Sequence, residues 1–596
     1  MRFFLTIALA ASTLALAQPD RDARFESLLA EAHNAQARSD FRGAAASYRQ
    51  AVAIRPDIAE LWSNLGLMRH QSGDYSQAAE AFRTALGLNQ SLFVPNLFLG
   101  LDLMQLNRLR EATPYLLEAG KLNPNDAQPA LALGRAYHAL WEPEQSGKWY
   151  RRAVALAPRN GEAWYGLGLA YFGLAETAGA KLAGSFGGSA YDAELTAGVL
   201  AEQGRLIEAI HAYRDLLALK AAPPRCSHSS YGFVLIRHGD PAEAEQEFRR
   251  DLDSCPAARV GMARLLFESG EREKGLTMLA ELARQHQAGF SASLPFFWEG
   301  LDGQQLEALL ANLGQSADAI ARVVETAVRE GTRSASVLEP ENPLPDLARL
   351  TKDDLEHRAS RAFFAGELLS TALASDLLRQ KYPNDPAGWY WAVRANQKLS
   401  VAALARAGEV EPDSPRIHAL LGDVYRRRRM FDEAREEYSK VLAISSDSVA
   451  GLAGLAATDL ADGRPEQAQV TVRKALARSP EDSGINLQMG EILVEQHEYA
   501  DAEPYLERSL HARPDLLPRV HALLGEVFAR TGRAKEALKE LTEGLPSDDD
   551  GSVHYQLARL YKEAGDDKAA AAEFEKAKQI RASHDELARR ALMPIN

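Results

Sequence analysis

The residues of this chain with specialised chemistry are two cysteines, fourteen scattered histidines and a run of four arginines, Arg426 to Arg429. Cys226 and His228 stand as an isolated C-x-H, and a zinc site needs two further ligands at suitable spacing, so no metal is expected. No phosphate-cradling Walker loop, G-x-G-x-x-G, H-E-x-x-H or G-x-S-x-G occurs in the chain, and with them go the compact signatures of nucleotide, metalloprotease and serine-hydrolase chemistry. Neither a cofactor nor catalysis is expected. The forked guanidiniums of the arginine run suit a carboxylate or phosphate, although charge runs are more often solvated helix ends.

These residues sit in a frame that recurs every 34 residues over the N-terminal region. The unit starting at 59 carries Trp62, Leu65, Gly66, Ala78, Phe82 and Ala85; the unit at 127 carries Leu133, Gly134, Tyr137, Tyr150, Ala153 and Pro158; the unit at 161 opens with Trp164, Leu167, Gly168 and Tyr171. Positions 4, 7, 8 and 11 share one helix face and positions 20, 24 and 27 share another, as a 3.6-residue period requires. Each unit therefore reads as an antiparallel helix pair that cannot bury its apolar face alone, so neighbours must stack. Pro56, Pro124, Pro158, Pro480 and Pro514 stop second helices near position 32. Units begin near 25, 59, 93, 127, 161, 190, 225 and 256, and again near 352, 386, 415, 449, 483, 518 and 551.

The pattern W-x-x-L-G-x-x-Y, A-x-x-x-F, P resembles that of the tetratricopeptide repeat (TPR) family. The resemblance implies an all-α solenoid superhelix of about 15 stacked pairs in two arrays, a non-enzymatic scaffold whose partners are proteins or peptide segments. Exported proteins of this type often serve cell-envelope or polysaccharide-export assemblies. The expected organisation is a signal peptide over 1–17, an N-terminal array over 18–286, a non-repeat helical insert with a proline-rich hinge over 287–351, a C-terminal array over 352–584, and a capping helix and tail over 585–596. Within the insert, helices are expected at Leu306 to Leu313 and Ala317 to Glu330, an extended loop at Thr332 to Pro345, and an aromatic seam at Phe296, Phe297 and Trp298. An enzyme's site would have to hide in this insert. Two units, 161 to 190 and 386 to 415, are only 29 residues long, and a shift of 225 superposes Trp164-Tyr165 on Trp389-Tyr390. That match suits a duplicated block and shared pattern residues equally well.

Arg2, the apolar stretch Phe3 to Leu14 and Ala15-Leu16-Ala17 have the layout of a cleavable export signal, too short to span a bilayer, with Gln18 as the new N-terminus. The mature chain is then expected in the periplasm or medium of a bacterial cell envelope, without membrane insertion. In that compartment Cys226 and Cys255, at positions 2 and 31 of the unit at 225, are expected to form a disulfide, because antiparallel packing brings those helix ends together. A net charge of −14 disfavours nucleic acid as partner. In TPR solenoids, partners commonly lie against positions 2, 5, 9, 12 and 13 of the first helices. Here these include Leu97, Leu101 and Met104, Leu131 and His138, and Tyr165, Leu169 and Phe172, an apolar stripe if neighbouring helices leave it exposed. In the second array the same positions are charged, with Arg416, Arg426, Arg427, Arg519 and Arg530 among Asp423, Glu491, Glu495 and Glu526. The chaperone-binding clamp of a lysine at position 5 and an asparagine at position 9 is not present, since units 25, 59 and 93 carry Leu29 and His33, Ser63 and Leu67, and Leu97 and Leu101 there. The family resemblance alone does not name the partner or the oligomeric state.

Overall fold

The computed structural model describes residues 5–590 apart from 203, 299, 302, 315, 317, 331–349, 428–429, 512–515 and 549. Among the described residues there are 31 α-helices and no strand, so the fold is all-α. The first helices of the units start where the repeat frame places them, as in Ala59–Gln71, Phe93–Gln105, Ala127–Ala139, Val449–Ala461 and Ser483–Glu495.

Position 15 makes the turn inside each pair. Ser39, Gly73, Asn107, Trp141, Gly463 and His497 all hold this place with φ between +56° and +80°, the left-handed region in which only glycine sits without strain. The next helix starts two residues later, often behind an acidic cap such as Asp40, which accepts from the Gly43 amide at 2.9 Å. A glycine at position 8 then lets the pair close. A Cβ on Gly66 would meet the Phe82 ring at 2.6 Å, and one on Gly134 the Tyr150 ring at 2.9 Å. Tyr150 is also roofed by the following unit, where a Cβ on Gly166 would lie 2.2 Å from its ring. Each large second-helix side chain is thereby shared between two stacked units, which is the dense interdigitation that makes the stack cooperative.

Two units depart from the expected pairing. Gly161–Phe186 and Pro386–Val410 are single helices of 26 and 25 residues. Position 15 is Ala175 in one and Ser400 in the other; neither leaves the right-handed region, and the helix runs through. Two compact units result, one of residues 1–178 with 393–410, the other of residues 179–392 with 411–596, so the boundaries fall inside these long helices and not at the array limits. In the first unit the place of the missing second helix is taken by 393–410: the Cβ that Gly168 lacks would collide with Leu404 at 2.5 Å.

In the second unit the insert is helical, over Gln287–Ser293, Gly303–Gly314 and Ala319–Glu330. Phe297, Leu313, Ala321 and Val324 share one apolar cluster with Val260, Leu276 and Leu279, and Phe296 stacks on Phe233 with ring centroids 4.7 Å apart. The expected loop with Pro340, Pro343 and Pro345 lies outside the described residues, as does Pro514. The last helix, Asp567–Arg590, passes through Ser583 without interruption. A separate capping helix after Ser583 is therefore not formed, because the alanine- and charge-rich sequence offers no residue that breaks the turn. It touches helix Leu206–Ala218 of the same unit. Residues 1–4 of the expected export signal lie outside the described residues, and the stretch from Leu5 runs into a helix that ends at Ala37. No helix among the described residues is long and apolar enough to cross a membrane.

Candidate partner-binding surfaces

In the first unit, consecutive first helices touch one another, Ala59–Gln71 against Phe93–Gln105 and the latter against Ala127–Ala139. They form a wall on which the apolar stripe can be located. Leu101, Met104, His138, Tyr165 and Leu169 are half-buried and Phe172 is 41% exposed. Leu97 and Leu131 are 4% and 9% exposed. These two are a correction: the close approach of neighbouring first helices buries position 5 in the units at 93 and 127, so they hold the wall together and present nothing to a partner. Two exposed side chains extend the stripe beyond the expected set, Val94 at position 2 and Trp141 in the position-15 turn.

Reading the groove positions of unit 59 as well would have found Leu67 and His70. His70 Nδ1 lies 2.6 Å from Asp102 Oδ1, its ring packs edge-on to Phe98 at 4.9 Å, and Asp102 is fully buried. Asp102 Oδ2 has no hydrogen-bond partner. Burial pushes the Asp102 carboxyl above its ordinary value, while the hydrogen bond to His70 pulls it down. The pair fixes the orientation of His70 beside the apolar stripe.

The second array is built on internal ion pairs. Arg426 lies 2.8 Å from Asp423, whose Oδ1 also accepts from the Tyr438 hydroxyl at 2.8 Å. Arg519 lies 3.1 Å from Glu491, and the Arg530 guanidinium sits over the Tyr499 ring at 5.8 Å. Arg416 is exposed and already engaged. Arg427 ends its helix, and Arg428 and Arg429 lie outside the described residues. Guanidiniums already spent on neighbouring carboxylates and rings are weaker anchors for an incoming anion.

Position 4 carries a second motif that spacing alone does not reveal. Trp62 and Trp164 each donate their indole N–H to the carbonyl of the proline six residues back, both at 2.9 Å. In the unit at 225 and in three units of the second array the residue is histidine, and His228, His418, His521 and His554 contact Glu247, Glu437, Glu540 and Glu573 through Nδ1 at 2.5 to 2.7 Å. Each partner lies 19 residues on, at position 23 of the second helix. Burial pushes the Glu437 carboxyl up, yet the hydrogen bonds from Lys440 and His418 outweigh it and hold Glu437 below the usual carboxylate range. Three side chains, His521, Glu540 and Glu543, have ligand-type atoms within 4.8 Å of one another. Glu543 adds only a 3.3 Å contact to the far ring nitrogen of a pair that recurs three times without it, so the arrangement is one member of a structural series. Cys226 and Cys255 are joined by a disulfide, Cα atoms 5.6 Å apart.

Three family models described as tetratricopeptide repeat match residues 29–91, 99–161 and 394–449, residues 459–527 and 493–556, and residues 551–584. The chain is a multi-TPR protein. Among curated proteins, the anaphase-promoting complex subunit CDC16 of Saccharomyces cerevisiae is 27% identical over 107 residues, 18% of this chain. The match spans only 13% of that relative's length. Among solved structures, MamA is 22% identical with a TM-score of 0.25, covering 25% of this chain and 82% of its own. MamA from Desulfovibrio magneticus RS-1 is 20% identical with a TM-score of 0.26, covering 29% and 97%. YrrB, described as a TPR protein with an unusual peptide-binding site, is 18% identical with a TM-score of 0.26, covering 32% and 98%. TPR repeats generally act as protein-interaction scaffolds without catalysis of their own.

Proposed function

We propose that this TPR protein is an exported, non-enzymatic scaffold that binds apolar peptide segments of partner proteins along the first-helix wall of its N-terminal array. The observation that carries this reading is the set of half-buried and exposed apolar side chains Leu101, Met104, Leu169 and Phe172 at groove positions of the first helices Phe93–Gln105 and Gly161–Phe186. A helical or extended apolar segment fits such a surface, gaining roughly 25 cal/mol for each Å² removed from water. The sequence supports export through the signal layout of residues 1–17, and the charge of −14 favours protein over nucleic-acid partners. The charged second array serves as a spacer or second contact in this reading.

The test uses the secreted or envelope fraction and the full mature chain. N-terminal sequencing should begin at Gln18; an uncleaved chain retained in the cytoplasm removes the export part. A photo-crosslinking residue at Phe172 should trap a partner that Leu101→Glu with Leu169→Glu abolishes, helicity being unchanged. Equal trapping in that variant, or in a control with the crosslinker at Val470, rules the wall out.

A further inference from the structure

A second, chemically different site lies away from the first-helix wall, between two successive second helices of the first unit, Phe41–Ile54 and Tyr75–Leu88. A cavity of about 550 Å³ is lined by Arg42, Arg49 and Arg69, with Ser72, Gly73 and Gln77 on its rim. Arg69 donates to the Gln77 carbonyl at 3.0 Å and is half-buried. Arg42 and Arg49 are exposed, and among the described residues neither has a carboxylate partner. In the second array, by contrast, Arg426, Arg435, Arg519 and Arg533 are taken up by internal ion pairs. Asp74 is the one carboxylate in the lining; it caps the helix that starts at Tyr75 by accepting from the Gln77 amide at 3.4 Å. Burial lowers the Arg69 guanidinium, Asp74 and Glu80 raise it, and Arg49 adds like-charge repulsion, which an anion between the two would relieve.

Arg49 and Arg69 also wall a neighbouring cavity of about 510 Å³, whose lining is largely apolar: Val52, Ala53, Pro56, Trp62 and Ala81, with Glu80 at its edge. Forked guanidiniums recognise carboxylates bidentately, and the adjoining apolar wall would take the next side chain.

We propose that these paired cavities bind an acidic peptide segment, a carboxylate side chain seated among Arg42, Arg49 and Arg69 with an apolar residue beside it against Trp62 and Pro56. The site goes beyond the apolar wall and uses different residues and a different face.

The test is fluorescence anisotropy on the full mature chain at low salt, with three labelled decapeptides: one carrying Asp-Asp-Leu-Phe, a twin carrying Asn-Asn-Leu-Phe, and one carrying Asp-Asp-Ser-Ser. The first should bind, and both others should bind about tenfold or more weakly. Arg42→Ala with Arg49→Ala should weaken the first peptide to the level of its Asn twin. Both side chains are exposed and unpaired, so circular dichroism should be unchanged. Phe172→Glu should leave this binding intact, which separates the site from the apolar wall. Equal binding of the Asn twin, or no loss in the arginine variant, overturns the proposal. Equal binding of the Ser-Ser peptide with competition by inorganic phosphate overturns the peptide assignment and leaves a small-anion site.

Discussion

Asp102 is a buried carboxylate held by one hydrogen bond, and removing that bond has a cost whose pH dependence follows from the geometry. In His70→Ala, Asp102 Oδ1 loses its 2.6 Å contact while Oδ2 is already unpartnered, so a fully buried carboxyl is left with nothing. Burial already raises the folded-state Asp102 above its ordinary value. A raised carboxyl favours the folded state below its unfolded value and loses that contribution as pH rises through the folded one. Losing His70 raises it further. At pH 3, below the ordinary carboxylate value, the acid is mostly neutral in both states and unsatisfied only in the folded one, and the variant should lose about 1 kcal/mol. At pH 7 it must bury an uncompensated charge or take up a proton, and the loss should reach about 3 kcal/mol. For a unit of this size that is about 6–12 °C in melting temperature at pH 7. Far-UV circular dichroism melts at both pH values read the difference, and amide exchange in 59–71 and 93–105 shows that the loss is local. His70→Ala with Asp102→Leu removes both partners and should recover most of the stability at pH 7. An equal loss at the two pH values, or a double variant no better than the single, would refute the reasoning.

Two further outcomes follow from the packing. Gly454→Ala places a methyl 2.1 Å from the Tyr438 ring, which is fully buried and cannot retreat; the cost should be about 2–3 kcal/mol, whereas Gly463→Ala, in open space but at φ +71°, should cost about 1 kcal/mol, both read by urea denaturation. The Cys226–Cys255 bond closes a separation of 29 residues, a loop whose chain entropy amounts to about 3–4 kcal/mol. Cys226→Ala with Cys255→Ala should therefore sensitise 226–255 to limited proteolysis, and the same sensitivity should appear in wild type after dithiothreitol.

The repeat frame was legible because it is a packing requirement repeated in sequence. Glycine at position 8 and a large residue at position 24 must occur together, as Gly66 with Phe82 and Gly134 with Tyr150 do. The stripe was partly legible for the same reason: groove positions named Leu101 and Phe172, but only the approach of neighbouring helices showed that Leu97 and Leu131 are buried. The charged groove was legible in composition and not in pairing, since whether Arg519 is available depends on Glu491, 28 residues away. The paired cavities beside Arg42 and Arg49 have no sequence signature, being formed by side chains from two successive units.

By itself the sequence determined the helix-pair unit, its starts and its apolar faces, because those depend on contacts within one repeat and with the next. The course of helices Gly161–Phe186 and Pro386–Val410 was decided by tertiary structure. Ser39 and Ser400 occupy the same repeat position, yet one turns with φ +59° and the other stays helical. Serine permits either. The local strain of turning is about 1–2 kcal/mol, and what outweighs it is where the apolar face finds cover: Ser39 turns back onto its own second helix, whereas Gly168 is covered by Leu404 from a helix more than two hundred residues away in the chain.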